Sequence, residues 1–344
     1  MFGKMIMEQY STILHALQQP AAYSHPVKNT KTIITAVSAV FLTGEYAYKI
    51  NKPLNLGFLD FSTLEKRKDQ CEKEVKYNSL ISPELYLGTV RITKNTNGAI
   101  TVNGDGKIIE YGIKMKQVDP DATMNNLLAK NLITMKHIQE LAKKIFQFHH
   151  IAPTSQEISG FGRIDMIQFN WNENFEQTEK YKPAIVSQVY FEFMQQKINK
   201  FIQQNKELFE KRIAKNKIKH CHGDFHSANI FITENGLLIF DGIVFNQRFP
   251  CSDIIAEIAF MAMDLDFHNK QELSELFIKE YQRLSDDEDI PTLLNFYKCY
   301  RAYIRAKINC FTYDDQNLND DEKRNANEKA QQYFTLARDY ADLL

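Results

Sequence analysis

The sequence has few cysteines, and their spacing suggests no cross-link. The five cysteines lie at positions 71, 221, 251, 299 and 310, and no two of them form a Cys-x-x-Cys pair. An odd number of scattered cysteines is typical of free thiols in a reducing compartment, and it argues against a disulfide framework or a structural zinc site. We therefore expect a cytoplasmic protein.

Net charge and long apolar runs are also lacking. The 42 lysine and arginine residues nearly balance 43 aspartate and glutamate residues, so the formal net charge is −1. Without a basic excess, we expect neither nucleic acid nor an anionic membrane surface as a partner. The uncharged stretch 32–44 is too short to span a bilayer, and residues 1–10 lack the apolar core of a secretory signal.

A glycine-rich phosphate-binding loop is missing as well. The sequence contains no Gly-x-x-x-x-Gly-Lys-Ser/Thr motif. Its 344 residues, 44% of them apolar and 25% charged, are nevertheless enough for a soluble protein with two lobes or two domains. The chain must therefore be interpreted from its secondary-structure pattern and from its polar motifs.

The first part of the chain predicts a small antiparallel sheet. Residues 5–19 have the pattern of a short amphipathic helix, and three β-branched segments between residues 30 and 50 predict strands joined by tight turns. Two more strands are expected at 86–92 and 108–115. The small residues Ser38 and Ala39 fall in the first predicted turn, where the backbone could approach a phosphate.

Lys49 stands near the end of the third predicted strand. An isolated strand lysine is most simply explained by an ammonium group that reaches solvent. A helix predicted over residues 62–81 offers Glu72 and Glu74 as acidic partners for this lysine. We favour Glu74, although the pattern does not separate the two, and a solvated helix face also explains either one.

After Pro120 the pattern becomes helical. Helices are predicted over 122–149, 184–216, 254–268 and 293–311, with a loop-rich segment at 155–183. The sequence therefore predicts an α+β protein with a first part at 1–117 and a mostly helical second part at 118–344.

The most informative stretch runs from His222 to Asp241. It contains Asp224 five residues before Asn229, and an apolar strand that ends in Asp241. Phosphoryl transfer from a nucleotide needs a carboxylate that orients or accepts the proton of the attacking hydroxyl, together with oxygen ligands for Mg²⁺. The catalytic loop of protein kinases has the same skeleton, which favours Lys49 as a lysine that holds phosphates.

His222, Asp224 and His226 could instead bind a metal, because histidine and aspartate ligands at short spacing are common. Neighbouring residues of a strand face opposite ways, however, so the run 220–222 cannot direct all its side chains at one ion. We interpret His222 as a hydrogen-bonding partner of the loop backbone and His226 as a supporting residue.

Charged residues later in the chain have two interpretations. Asp253 and Glu257 are expected to brace the loop rather than to react. Arg301, Arg305 and Lys307 could meet an anionic substrate. Because the two arginines are one turn apart on a predicted helix, we expect them to brace Asp253 or Glu257 instead.

Residues 222–246 resemble the His-Gly-Asp-x-His-x-x-Asn loop of the aminoglycoside phosphotransferase and choline kinase group, in the protein kinase-like superfamily. They are most similar to a bacterial branch that is often fused to a P-loop ATP-binding domain. Further similar segments lie at 41–50, 57–64, 240–246 and 300–307. The resemblance extends from about residue 30 to the C-terminus.

The resemblance implies a two-lobe kinase-like fold, with ATP and Mg²⁺ as cofactors and transfer of the γ-phosphate to a hydroxyl of a small molecule or protein. Asp224 would be the catalytic base, Lys49 the phosphate lysine and Glu74 its partner. Asn229 and Asp241 would be the Mg²⁺ ligands. A hinge at about 115–120, starting at Met115, would contact the nucleobase through its backbone.

Other functions remain open at this point. The chain ends at Leu344, where fused relatives would begin their second domain, so a function that needs both halves would require a separate P-loop ATP-binding protein as partner. The same site could serve a non-catalytic nucleotide-binding module, nucleotidyl transfer to a protein or, more distantly, a metal-dependent hydrolase. No segment identifies the acceptor.

Overall fold

A computed structural model of the protein describes residues 2–344, with side chains placed for residues 8–344. The described chain forms two compact units. The first comprises the residues up to Thr123 together with Ile230–Asn246, and the second comprises Met124–Asn229 and Gln247–Leu344. The division after residue 117 stays a prediction.

The first unit is built on a six-stranded antiparallel sheet with strand order β1-β2-β3-β6-β4-β5. Its elements are α1 (Phe2–Leu17), β1 (Lys31–Ile34), β2 (Ser38–Leu42), β3 (Tyr46–Asn51), α2 (Leu64–Asn78), β4 (Tyr86–Lys94), β5 (Ile100–Val102) and β6 (Lys107–Lys116).

The sheet buries side chains on both faces, which explains why its central strands are apolar rather than alternating. Phe41 and Ile50 pack with Ile13 and Leu17 of α1 in one cluster. Cys71 of α2 packs with residues of β4 and β6 in another. Each fully buried large apolar side chain contributes about 1.5–3 kcal/mol to stability. This packing places α2 on β6 and β4, within reach of Lys49 on the adjacent strand β3.

From residue 124 the chain is mostly helical. The elements in chain order are α3 (Met124–Ala129), α4 (Met135–Ile151), α5 (Gln156–Gly160), α6 (Ile164–Thr178), α7 (Gln188–Gln204), α8 (Lys206–Ala214), β7 (Ile218–His220), β8 (Ile230–Thr233), β9 (Gly236–Ile239), β10 (Cys251–Asp253), α9 (Ile254–Phe267), α10 (Gln271–Ser285), α11 (Ile290–Tyr313) and α12 (Asp320–Asp342). The β8–β9 hairpin belongs to the first unit, and β7 pairs with β10 in the second.

Helix α9 forms the centre of the second unit, and every residue from Ile254 to Leu265 is buried. Helix α11 packs against α9 and α12. Trp171 of α6 is fully buried against Phe296 and Tyr303 of α11. Among the described helices, none is both long and apolar enough to cross a membrane.

The structure confirms the α+β class, with an antiparallel sheet followed by a larger helical part. One expectation was wrong: the segment 155–183 is not loop-rich, because α5 and the four-turn helix α6 lie within it. The buried residues of α6 have helical spacing, and asparagine and glutamine between them hide the pattern. The buried residues are Ile167, Trp171, Asn174, Phe175 and Thr178.

Three boundaries also differ from the prediction. The helix expected over 184–216 is divided into α7 and α8 at Asn205, and the helix expected over 122–149 is divided by Thr134, which caps α4. Ser38 and Ala39 lie in β2 rather than in the preceding turn. The hydroxyl of Thr35 accepts the N–H of Ser38 at 2.9 Å, so the turn closes before residue 38.

Candidate active site

In the first unit, a largely buried lysine side chain bridges two carboxylates. The Nζ of Lys49 on β3 donates to Glu74 Oε1 at 2.8 Å and to Asp241 Oδ1 at 2.5 Å. The side chains of Lys49 and Glu74 are only 12% and 4% exposed. The alternative partner, Glu72, lies on the outer face of α2 beside Lys68. Burial therefore decides between the two glutamates in a way that the sequence does not.

The charge of Lys49 is set by these neighbours. Burial disfavours the ammonium ion, but the negative charges of Asp241 and Glu74 outweigh burial and raise the pKa of Lys49 well above its ordinary value. Lys49 is therefore a fixed cation at neutral pH. Such a group can bind the oxygens of a polyphosphate.

Asp241 has a strained backbone that its neighbours hold in place. Its φ is 63°, in the left-handed region that residues other than glycine rarely adopt. Its N–H donates to the hydroxyl of Tyr86 at 2.9 Å, and the N–H of Gly242 donates to Asn78 Oδ1 at 2.7 Å. The side chain of Asp241 is 53% exposed, so its second oxygen can accept a ligand.

In the second unit, two other residues of the loop 222–229 hold the side chain of Asp224 in place. Asn229 Nδ2 donates to Asp224 Oδ2 at 2.8 Å and to the Asp224 backbone oxygen at 2.9 Å. His226 Nε2 lies 3.3 Å from the same carboxylate oxygen. The Asp224 side chain keeps 36% exposure. It is thus oriented and still open to a substrate.

The loop also determines the ionisation of Asp224. Burial favours the protonated acid, but the positive charges of His226, Arg305 and His222 outweigh burial and hold the pKa of Asp224 well below its ordinary range. Burial likewise opposes a charged His226, but Asp224 outweighs it and raises the pKa of His226. Asp224 is therefore a carboxylate at neutral pH and can accept a proton.

Glu257 of α9 anchors the start of this loop. It accepts the N–H of Gly223 at 2.8 Å and of His222 at 3.1 Å, and it bonds His149 Nε2 at 2.9 Å. Burial opposes the charge of Glu257, but the bonds from His149 and Gly223 and the nearby His222 lower its pKa to about 2. An ionised, fully buried carboxylate therefore fixes the backbone just before Asp224.

The hydrogen-bond partners of Asp253 and Arg301 differ from those expected from the sequence. Asp253 does not contact the loop in the described hydrogen bonds; it binds Arg212 through two bonds of 2.7 and 2.8 Å and caps α9 through the N–H of Ile255. Arg301 bonds the carbonyl oxygens of Gly223 and Ala256, each at 3.1 Å, rather than a carboxylate. The loop is braced through backbone groups, which carry no signature in sequence.

Sequence reasoning did not identify Arg212 or His149 as part of this support. Arg212 is separated by 41 positions from Asp253 and by 75 from Asp287. His149 is 108 positions from Glu257. No local motif links residues at such distances, and the only signal for His149 was its place at the end of a predicted helix.

Two clusters bear on the possibility of a histidine-bound metal. The ligand atoms of His149, Cys221 and Glu257 lie within 4.8 Å of one another. His149 already uses both nitrogens, however, bonding Tyr281 Oη at 2.6 Å and Glu257 at 2.9 Å. In the loop, the backbone N–H groups of Asp224 and Ala228 lie 3.4 Å from the Nδ1 atoms of His222 and His226. These rings serve the backbone rather than an ion.

The residues expected to bind Mg²⁺ offer suitable atoms. Both side-chain hydrogen bonds of Asn229 to described residues use its nitrogen, which leaves its amide oxygen for a ligand. In the first unit, Asp241 has an exposed carboxylate. Amide and carboxylate oxygens are the ligands that Mg²⁺ prefers, so each residue fits that ion.

Comparison with curated proteins finds relatives without an assigned activity. No family model matches the chain. Uncharacterized proteins of Mycobacterium tuberculosis and Mycobacterium bovis are each 26% identical over 293 residues, which is 84% of this chain. The chain spans 57% of the length of these relatives.

Solved structures share the fold. The GDP complex of aminoglycoside 2'-phosphotransferase-IIIa has a TM-score of 0.53 at 12% identity, covering 95% of this chain and 97% of that one. Choline kinase from Cryptosporidium parvum Iowa II has a TM-score of 0.52 at 14% identity, covering 92% and 90%. A choline/ethanolamine kinase family protein from Mesorhizobium loti has a TM-score of 0.52 at 9% identity, covering 97% and 99%. The chain therefore has the protein kinase-like fold found in aminoglycoside phosphotransferases and choline kinases.

Proposed function

We propose that this protein is an ATP- and Mg²⁺-dependent phosphotransferase that moves the γ-phosphate of ATP to a hydroxyl of a small molecule or protein. The observation that carries the proposal is the state of Asp224. It is ionised, oriented by Asn229 and His226, and open to solvent in a chain with a kinase-like fold. This is the arrangement that a general base for a hydroxyl requires.

In the proposed reaction, the acceptor oxygen bonds to the γ-phosphorus while the bond from that phosphorus to the β,γ-bridging oxygen breaks. ADP leaves, and Asp224 takes the proton of the acceptor hydroxyl. Lys49, held by Glu74, positions the phosphates. Mg²⁺, when bound by Asn229 and Asp241, would neutralise charge on the phosphate oxygens.

Other residues are proposed to bind the nucleotide or to support the loop. Ser38 and Ala39 on β2, with Met115 on β6, would contact the nucleotide through their backbone. His222, His226 and Asp253 are supporting residues that do not react. Residues 1–117 would form the nucleotide-binding lobe and residues 118–344 the lobe with the catalytic loop.

A paired labelling experiment tests this proposal. The protein is incubated with Mg²⁺ and ATP labelled on either the α- or the γ-phosphate, alone and with a panel of hydroxyl-bearing acceptors. Label from the γ-phosphate on an acceptor supports phosphotransfer. Label from the α-phosphate would indicate nucleotidyl transfer, and nucleotide binding without any transfer would indicate a non-catalytic module.

His226→Gln is expected to move the acid limb of the pH–rate profile to higher pH. Asp224 must be ionised to act, and His226 is the largest favourable charge that keeps its pKa low. Without that charge, Asp224 becomes protonated at a higher pH, and kcat/KM falls earlier on acidification. The exposed His15 of α1 provides the matched control, because His15→Gln should leave the profile unchanged. An acid limb that does not move in His226→Gln would contradict this electrostatic coupling.

A further inference from the structure

Helix α11 carries four cationic side chains, and three of them have clear partners. Lys307 bonds Asn174 Oδ1 at 2.6 Å and Gln177 Oε1 at 2.8 Å. The other three, Lys298, Arg301 and Arg305, follow one another at about one turn. Lys298 bonds Asp266 Oδ2 at 2.7 Å and Ser274 Oγ at 3.3 Å. Arg301 bonds the carbonyl oxygens of Gly223 and Ala256. The third cation is Arg305, and it forms no ion pair with a carboxylate in the part of the chain that the structure describes.

The guanidinium of Arg305 is enclosed and has no salt bridge among the described residues, although it bonds the phenol of Tyr333 and feels the charges of Asp224 and Asp264. Its Nε is sealed from solvent and has no hydrogen-bond partner among the described residues. The group lies 5.7 Å from the centre of the Tyr333 ring on α12, and the side chain as a whole is only half-buried. A partly desolvated cation is costly without an anion, and the planar guanidinium binds carboxylate and phosphate through paired N–H bonds.

Arg305 also lies close to the proposed reaction centre. Arg301, one turn before it, bonds the backbone of Gly223, the residue that precedes Asp224. The charge of Arg305 is among those that act on Asp224. Arg305 nevertheless does not pair with that carboxylate, whose Oδ2 is occupied by Asn229 and His226. The cation is near the base but not its ion-pair partner.

The polyphosphate of a nucleotide already has a cation in Lys49 of the first unit. An anion that binds Arg305 is therefore more simply explained as part of the acceptor than as part of the nucleotide. We propose that Arg305 forms an anion subsite, and that the acceptor carries a phosphate or carboxylate group in addition to the hydroxyl that is phosphorylated. This inference rests on the proposed phosphotransferase function.

The first arm of the test measures anion binding without catalysis. Thermal unfolding is followed in inorganic phosphate and in chloride at equal ionic strength, for the wild type, Arg305→Gln and Arg324→Gln. Arg324 is a matched control, because it is an exposed arginine of α12 that pairs with Asp321. We expect phosphate to raise the unfolding midpoint of the wild type and Arg324→Gln, and to raise that of Arg305→Gln by less. An equal rise in all three proteins would overturn the subsite.

The second arm uses γ-labelled ATP and acceptor pairs that differ in one charged group. The pairs are ribose with ribose 5-phosphate and glycerol with glycerate, and choline serves as a cationic acceptor. The charged member of at least one pair should have the larger kcat/KM, by about 10- to 100-fold. Arg305→Gln should remove this preference, and Arg305→Lys should restore part of it. A preference for the neutral member or for choline would contradict the proposal.

The two arms separate failure of this inference from failure of the proposed function. If label reaches neutral and anionic acceptors equally well, the phosphotransferase stands and the anion subsite is wrong. If Mg²⁺-ATP neither binds nor transfers phosphate while the phosphate effect still depends on Arg305, the subsite stands and the proposed function is wrong. The unfolding midpoint of Arg305→Gln in chloride reports whether this variant is folded. If it is not folded, Arg305→Lys, which keeps the positive charge, takes its place in both arms.

Discussion

Replacing Asp224 with Asn should lower the rate of phosphate transfer by about 10²- to 10⁴-fold, the usual contribution of a general base. Asparagine keeps an oxygen that can accept the hydrogen bond from Asn229 Nδ2, so the loop should keep its shape. It cannot take a proton from the acceptor hydroxyl. Single-turnover transfer of γ-labelled phosphate measures the loss. The nucleotide-dependent shift in unfolding midpoint should change little.

The control for this variant is Asp165→Asn. Asp165 lies at the start of α6 in the same unit, with a side chain that is 68% exposed, and it pairs with the exposed Arg163. Its replacement removes the same charge and should leave transfer unchanged. Transfer by Asp224→Asn within a few-fold of the wild type would remove Asp224 from the mechanism.

The largest effect on stability is expected at Arg212, where Arg212→Met should cost about 3–5 kcal/mol in free energy of unfolding. The Arg212 side chain is fully buried and binds Asp253 at 2.7 and 2.8 Å and Asp287 at 2.7 Å. Methionine fills much of the space but leaves the buried Asp253 without its cation, and it leaves Asp287 with Lys217 alone, at 3.1 Å. Urea unfolding of the wild type and the variant measures the difference.

Lys211 supplies a matched comparison at the neighbouring position. It pairs with Asp289 at 2.6 Å from a side chain that is 41% exposed. A partly exposed ion pair contributes about 0–1 kcal/mol, so Lys211→Met should cost far less. Equal losses in the two variants would show that the buried network around Arg212 is not what stabilises the second unit.

Replacing Arg212 should also disturb the structure of the catalytic loop. Asp253 caps α9, and α9 carries Glu257, which holds the N–H groups of His222 and Gly223. Arg212 is therefore linked to the backbone before Asp224 through Asp253, at the start of α9, and Glu257, on the same helix. Within the sequence motif, only the backbone N–H groups of His222 and Gly223 take part; Arg212, Asp253 and Glu257 lie outside it.

This division between local and distant contacts explains how much the sequence could predict. The α+β class and the order of strands before helices followed from local patterns of β-branched and periodic apolar residues. The segment from Asp224 to Asp241 was recognisable because its polar residues have fixed spacing. Helix α6 was missed because polar residues separate its buried residues, and the asparagines among them favour turns when considered alone.

The identity of the partner of Lys49 could not be decided from the pattern. Glu72 and Glu74 are two positions apart on α2, and the difference lies in which of them faces β3. The roles of Asp253, Arg301 and Arg212 were misjudged or missed for a similar reason, whereas Glu257 braces the loop as expected. The partners of the first three are backbone groups or charged side chains distant in sequence, and tertiary packing alone brings them together.

Thermal unfolding with and without ATP and Mg²⁺, on the wild type and on Asp241→Ala, tests the central claim most directly. A ligand that binds only the folded state stabilises it by about 2.7 kcal/mol at a concentration 100 times its Kd. The account predicts a rise in midpoint that requires both nucleotide and metal in the wild type and that shrinks in Asp241→Ala. No rise in either protein at millimolar nucleotide, or the same rise in both, would contradict it.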